Sequence, residues 1–191
     1  MFFKQTRKAI AIDRVAAAIQ KNKAINHWQN LANIDELTGL YNRRYFYAKL
    51  DEYLIDNNSG TSIKILYIDV DKFKAINDTY GHSIGDRALT IVAHRLSNNV
   101  REEDIIARVG GDEFCVLIKN ENGAHVSTRK IIDRIKANLQ NFEIYTPKLV
   151  TISCSIGESA DIQHEVTPEI LISSADEDLY KKKTELKVQT Q

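Results

Sequence analysis

This 191-residue sequence is poor in cysteine and proline, two of each, and has no excess charge of either sign. Lys plus Arg and Asp plus Glu both number 26, so no general attraction to nucleic acid or to a membrane surface is expected. Cys115 and Cys154 form neither a metal-binding spacing nor a disulfide framework. Both fall in apolar, strand-like stretches and read as buried core thiols in a reducing compartment. No run approaches the roughly 18 apolar residues of a transmembrane helix. Met1–Lys8 is basic and Ala9–Ile19 apolar, but Asp13 and Arg14 interrupt that run, which argues against a signal peptide. A cytoplasmic location is expected. There is no internal repeat and no low-complexity segment, and the length suits one domain plus an extension.

The periodicity alternates between helix and strand. Residues 44–55 and 86–96 carry apolar faces at helical spacing, the second through Ala88, Leu89, Ile91, Val92 and Leu96. Ile63–Val70 is dense in β-formers and reads as a buried strand. A helix is expected over Arg129–Leu139 and a single strand over Leu149–Ile156. Thr167-Pro168-Glu169 opens a last helix, with Thr167 as N-cap and proline in the first turn. The order makes an α+β sandwich. In residues 1–33, Ala9, Ile12, Ala16, Ile19 and Ala24 recur at roughly helical spacing, which fits either a stalk that pairs two domains or a helix packed on its own domain.

Two acidic clusters stand out. Arg108-Val109-Gly110-Gly111-Asp112-Glu113-Phe114 sets two glycines between apolar stretches. That pattern predicts a tight β-hairpin whose glycines take positive φ, with backbone open to a phosphate. Two acids at such a tip call for a cation or a substrate. The second cluster, Asp69-Val70-Asp71-Lys72-Phe73-Lys74, follows the buried strand. Asp69 and Asp71 either terminate that strand or belong to a metal and phosphate site. Mg²⁺ takes one or two carboxylates plus substrate phosphates, and Asp69 and Asp112 would supply such a pair if their strands are neighbours.

Together these motifs resemble the GGDEF domains, the diguanylate cyclases that condense two GTP into cyclic di-GMP. The resemblance runs from Ile34-Asp35-Glu36-Leu37-Thr38-Gly39-Leu40-Tyr41-Asn42-Arg43-Arg44 to Ala175-Asp176-Glu177-Asp178-Leu179-Tyr180. Between them, Phe73-Lys74-Ala75-Ile76-Asn77-Asp78-Thr79-Tyr80-Gly81-His82-Ser83-Ile84-Gly85-Asp86 matches at nearly every position. It implies a domain over residues 34–188, after an N-terminal helical extension. The fold would be a mostly antiparallel central sheet flanked by helices, like adenylate cyclase and the polymerase palm.

The resemblance also implies roles. Asp69, Asp112 and the Val70 carbonyl would bind two Mg²⁺, with Mn²⁺ as an alternative, and Asp112 would also take a proton from the attacking hydroxyl. Asn77 and Asp86 would read guanine, although Asp86 as a first-turn acid would also complement a helix dipole. His82 would touch substrate, and Gly110 and Gly111 would let it approach. Phe73 and Lys74 would wrap the phosphates, Lys74 offsetting charge at the reacting centre. Lys183 and Lys187 would hold the triphosphate tail. The family commonly has Lys-x-x-Gly-Arg there, and Leu186 and Lys187 depart from it, losing a forked guanidinium, so weaker GTP affinity is expected. Arg101 and Asp104, placed five residues before the glycine pair, would form an inhibitory site for cyclic di-GMP, helped by Arg108 or by Arg129 or Arg134 of a second domain. Catalysis would need two domains face to face, as a transient homodimer. The competing reading is a silent module that senses GTP or cyclic di-GMP.

Overall fold

The computed structural model describes residues 32–55, 62–120, 125–145, 149–160 and 166–189. The chain divides into two compact units, Met1–Ile34 and Asp35–Gln191. The expected N-terminal helix lies outside the described residues. Both acidic clusters fall in the second unit.

The elements of that unit are β1 (Tyr41–Asn42), α1 (Arg43–Ile55), β2 (Ser62–Val70), α2 (Phe73–Tyr80), α3 (His82–Ser97), β3 (Ile105–Arg108) and β4 (Glu113–Asn120). They are followed by α4 (His125–Leu139), β5 (Phe142–Tyr145), β6 (Leu149–Ile152), β7 (Cys154–Glu158) and α5 (Pro168–Gln189). Five strands form one sheet in the order β1-β3-β4-β2-β7, and β5 and β6 form a separate pair. Only the β1–β3 pairing is parallel within the large sheet; the rest is antiparallel. The architecture is α+β, a mixed central sheet flanked by helices.

Alternation along β2 divides the interior in two, because successive side chains leave a strand on opposite faces. Leu66, Ile68 and Val70 pack with residues of α2, α3 and α4. Ile65 packs the other way, with Phe46 and Leu50 of α1 and Leu171 and Ala175 of α5. Phe46 and Leu50 are fully buried, and truncating either to alanine costs about 2–5 kcal/mol. The same alternation sends Asp69 to the α1/α5 face.

Gly157 sets how closely α5 approaches the sheet. A Cβ there would come within 2.0 Å of the Ala175 carbonyl oxygen and 2.5 Å of the Leu179 nitrogen. The helix therefore rests almost directly on the β7 backbone.

The structure corrects two local expectations. The single strand foreseen over Leu149–Ile156 is two, β6 and β7, each in a different sheet. Ser153 breaks the run: its backbone carbonyl accepts from Asp71 N at 2.9 Å, and its hydroxyl donates to Asp71 Oδ2 at 2.7 Å. The hairpin between β3 and β4 is also wider than a two-residue turn. It loops through residues 109–112, closed by Val109 N donating to the Glu113 carbonyl at 2.9 Å. Neither Gly110 nor Gly111 has a positive φ; among the described glycines that conformation belongs to Gly39 and Gly81.

Both cysteines are free thiols, Cys115 in the core and Cys154 half-buried. Burial pushes Cys115 far above the ordinary thiol range. Among the described residues, no helix is long and apolar enough to cross a membrane.

Candidate active site

Adjacent antiparallel strands bring the two acidic clusters together. Asp69 on β2 stands opposite Glu113 on β4, and Val70 N donates to the Asp112 carbonyl at 3.1 Å. Burial raises the Asp69 carboxyl above the usual range; Lys183 pulls it back, and nearby Asp112 and Asp71 push it up further. Lys183, reaching over from α5, places Nζ 2.5 Å from Asp69 Oδ1.

Asp71 is used differently. It accepts from the hydroxyls of Ser153 at 2.7 Å and Ser155 at 2.5 Å, so it ties the end of β2 to the β6–β7 corner. The next residue, Lys72, has φ 55° and turns the chain into α2. Left-handed backbone is strained for a lysine and gathers at functional sites. Phe73 opens α2 half-buried, and Lys74 is exposed beside it.

Gly110 is explained by Glu113. A Cβ on Gly110 would sit 2.1 Å from Glu113 Oε2, so the bare glycine makes room for that carboxylate above the turn. Burial raises the Glu113 carboxyl, the Tyr67 hydroxyl lowers it, and Asp69 and Asp112 raise it again. The pattern of residues 110–113 contains this fit, but only the fold of the hairpin reveals it.

Helices α2 and α3 meet through another glycine. Gly85 lies so close to Asn77 that a Cβ would stand 1.9 Å from Asn77 Oδ1. That oxygen is buried and accepts no hydrogen bond. Asp86, next along α3, is exposed, and so is His82. Because α3 begins at His82, Asp86 falls beyond its first turn, too far along the helix for the dipole role expected of it. A cavity of about 840 Å³ adjoins this region, lined among others by Asp71, Lys72, Ile76, Tyr80, Thr151 and Lys183.

On the far side of the hairpin, Arg101 N donates to Asp104 Oδ2 at 2.9 Å, while Asp104 Oδ1 is buried and accepts no hydrogen bond. Arg108, expected to help Arg101 and Asp104, is engaged elsewhere. Its Nε and Nη2 donate to the Gly111 carbonyl at 3.2 and 2.7 Å, and its Nη1 to Asp35 Oδ1 at 3.2 Å. Arg134 donates to the Asn99 carbonyl at the end of α3. Arg129 pairs with Asp133 at 3.1 Å. The Lys187 side chain lies outside the described residues.

Comparison with known proteins shows the family to which these motifs belong. The family described as "Diguanylate cyclase, GGDEF domain" matches residues 32–189. The chain belongs to the GGDEF family. The response regulator PleD of Caulobacter vibrioides is 37% identical over 181 residues, covering 89% of this chain and 39% of that protein. The diguanylate cyclase TpbB of Pseudomonas aeruginosa is 38% identical over 152 residues, covering 78% of this chain and 34% of that protein. The chain thus spans little more than a third of the length of these two relatives. Among solved structures, the coiled coil and GGDEF domain of DgcB from Caulobacter crescentus, in complex with c-di-GMP, superposes with a TM-score of 0.76 at 25% identity. That match covers 93% of this chain and 94% of the other.

The donor set suits a hard divalent cation. Among the described residues, no three His, Cys, Asp or Glu side chains converge as a ready-made metal cage. Two carboxylates are present instead, Asp69 and Asp112, and burial, with the charge of Asp112 added, raises Asp69. That is a fitting set for Mg²⁺, which keeps several waters and completes its shell with substrate phosphates.

Proposed function

We propose that this GGDEF domain is a diguanylate cyclase, condensing two GTP into cyclic di-GMP with release of two pyrophosphates. The observation that carries the reading is the meeting of Asp69 and Asp112 at the ends of paired strands, beside the Gly110-Gly111 turn. In each step a ribose 3′-oxygen forms a bond to the α-phosphorus of the other GTP. The bond to the pyrophosphate oxygen breaks, and the hydroxyl proton leaves. Repeating the step in the opposite sense closes the ring. Each domain holds one GTP, so two domains must face each other, as a transient homodimer.

Asp69, Asp112 and the Val70 carbonyl would hold two Mg²⁺, or Mn²⁺. Such ions stabilise the charge of the attacking and leaving oxygens. Asp112 accepts the 3′-hydroxyl proton. Asn77 and Asp86 read guanine: Asp86 accepts from its N1–H and exocyclic amine, and the unpartnered Asn77 Oδ1 supports a polar ligand there. The left-handed turn at Lys72 presents Phe73 and Lys74 to the phosphates, Lys74 offsetting charge at the reacting centre. His82 contacts substrate, Gly110 and Gly111 admit it, and Lys183 with Lys187 holds the triphosphate tail.

Arg101 and Asp104 form the inhibitory product site, in which the buried, unpartnered Asp104 Oδ1 awaits a donor. Arg108, or a second domain's Arg129 or Arg134, would complete it. The catalytic domain would be residues 34–188, with 1–33 as stalk or linker, and its nucleotide substrate fits a cytoplasmic setting.

The test is incubation of purified protein with GTP and Mg²⁺ over a range of protein concentrations, with chromatographic detection of cyclic di-GMP. A rate rising faster than linearly with protein supports a cyclase that works as a weak dimer. Nucleotide binding without synthesis, even at high concentration, favours the alternative reading, a silent module that senses GTP or cyclic di-GMP.

A further inference from the structure

Asp69 sits among acids, and the cation against it belongs to the chain itself. Lys183 Nζ is 2.5 Å from Asp69 Oδ1, with side-chain exposures of 32% and 16%. α5 carries that lysine, and Gly157 holds α5 tightly on β7, so the ammonium is presented from a rigid support. Lys183 also lines the cavity beside Asp71 and Lys72.

We propose that Lys183 is a built-in competitor for the divalent cation at Asp69, so that the metal enters together with the nucleotide and not ahead of it. The inference rests on the metal role proposed above for Asp69 and Asp112. An ammonium is a compact point charge on a flexible stem. At 2.5 Å it occupies Asp69 Oδ1 and sets a positive charge where a second one has to arrive. A metal ion arriving alone must break this pair, and the displaced ammonium exchanges a carboxylate for water only. A metal ion carrying a triphosphate brings phosphate oxygens that do receive it, as charge-assisted hydrogen-bond acceptors. One side chain thereby weakens binding of the bare metal and strengthens binding of the metal–nucleotide complex. Such coupling is reciprocal, so bound nucleotide tightens the metal as well.

The test is a titration of Mn²⁺ alone into nucleotide-free protein, followed by electron paramagnetic resonance, with wild type, K183M, K183R and D69N. Removing a charge this close should tighten Mn²⁺ on the order of tenfold in K183M, while K183R stays near wild type. K183M should also bind Mn²⁺ plus a non-hydrolysable GTP analogue more weakly than wild type does. Equal Mn²⁺ affinity in wild type and K183M, with binding abolished by D69N, overturns the proposal and leaves the metal reading standing. Mn²⁺ affinity that D69N does not alter overturns the metal reading and this proposal with it.

Discussion

Arg108 joins two motifs that stand 73 residues apart: its Nη1 donates to Asp35 Oδ1 at 3.2 Å, while Nε and Nη2 grip the Gly111 carbonyl. Asp35 also accepts from Thr38, from the backbone N at 3.0 Å and the hydroxyl at 2.6 Å. The segment opening the domain is thus fastened to the turn that carries Asp112. Arg108→Lys keeps the charge and loses the fork. It should cost about 1–2 kcal/mol of stability and lower cyclic di-GMP synthesis. Denaturant unfolding and a product assay check both, and unchanged stability would show that the clamp contributes nothing.

The two close-packed glycines should respond differently to alanine. Gly157→Ala drives a methyl group into the α5 backbone and should destabilise by about 1–3 kcal/mol or more. Gly110→Ala meets chiefly the Glu113 side chain, which can turn away, so it should unfold close to wild type yet lose synthesis. Thermal unfolding of both variants makes the comparison. A larger loss in Gly110→Ala would contradict it.

Crowded acids at the candidate centre cost stability that only function justifies. Asp112→Asn removes a like charge that helps raise Asp69. It should abolish synthesis while raising the melting temperature in the absence of divalent ions. Retained synthesis would overturn the assignment of Asp112.

Asp104 provides a pH test away from that centre. Burial raises its carboxyl above the usual range, opposed by the Arg101 backbone N–H and the Arg101 charge. A raised folded-state value means that the native protein binds the proton more tightly than the unfolded chain does. Its stability therefore falls as pH rises from the ordinary carboxylate range through the folded-state value. Asp104→Asn is free of that penalty, so its stability gain over wild type should be full at pH 7.5 and vanish at low pH. The same variant should lose product inhibition. A gain independent of pH would refute the electrostatic account.

Asp35 and Asp178 act in the opposite sense. Each feels burial, which raises its carboxyl, but hydrogen bonds outweigh it and leave both lowered: from Thr38 to Asp35, and from Lys182 and the Glu158 backbone to Asp178. Their contribution is present above the ordinary carboxylate value and disappears as pH falls through the lower folded-state values. Asp178→Asn should therefore flatten the acid limb of a melting-temperature profile below about pH 4.

Much of this was legible in the chain. The density of β-formers over Ile63–Val70 announced a buried strand, and Thr167-Pro168 marked where α5 begins. The Asp69 and Gly110–Glu113 clusters stood out as candidates. The split of Leu149–Ile156 was not legible, since β6 and β7 are equally rich in β-formers. What parts them is Asp71 drawing in Ser153 and Ser155 from far along the chain.

Local pattern and motif order determined the element types, the family and the candidate residues, because these depend on side-chain periodicity and on residue identity. Tertiary structure decided which partner each charge meets. Asp69 faces Lys183 because β2 directs it to the α5 side, and Arg108 faces Asp35 because β1 runs beside β3. The two hairpin glycines look alike in sequence, and only the hairpin's fold brings Glu113 over Gly110 and leaves Gly111 in open space. Ion pairs and close packing act between residues far apart in the chain, at distances set by strand register and helix packing, and no local pattern specifies those.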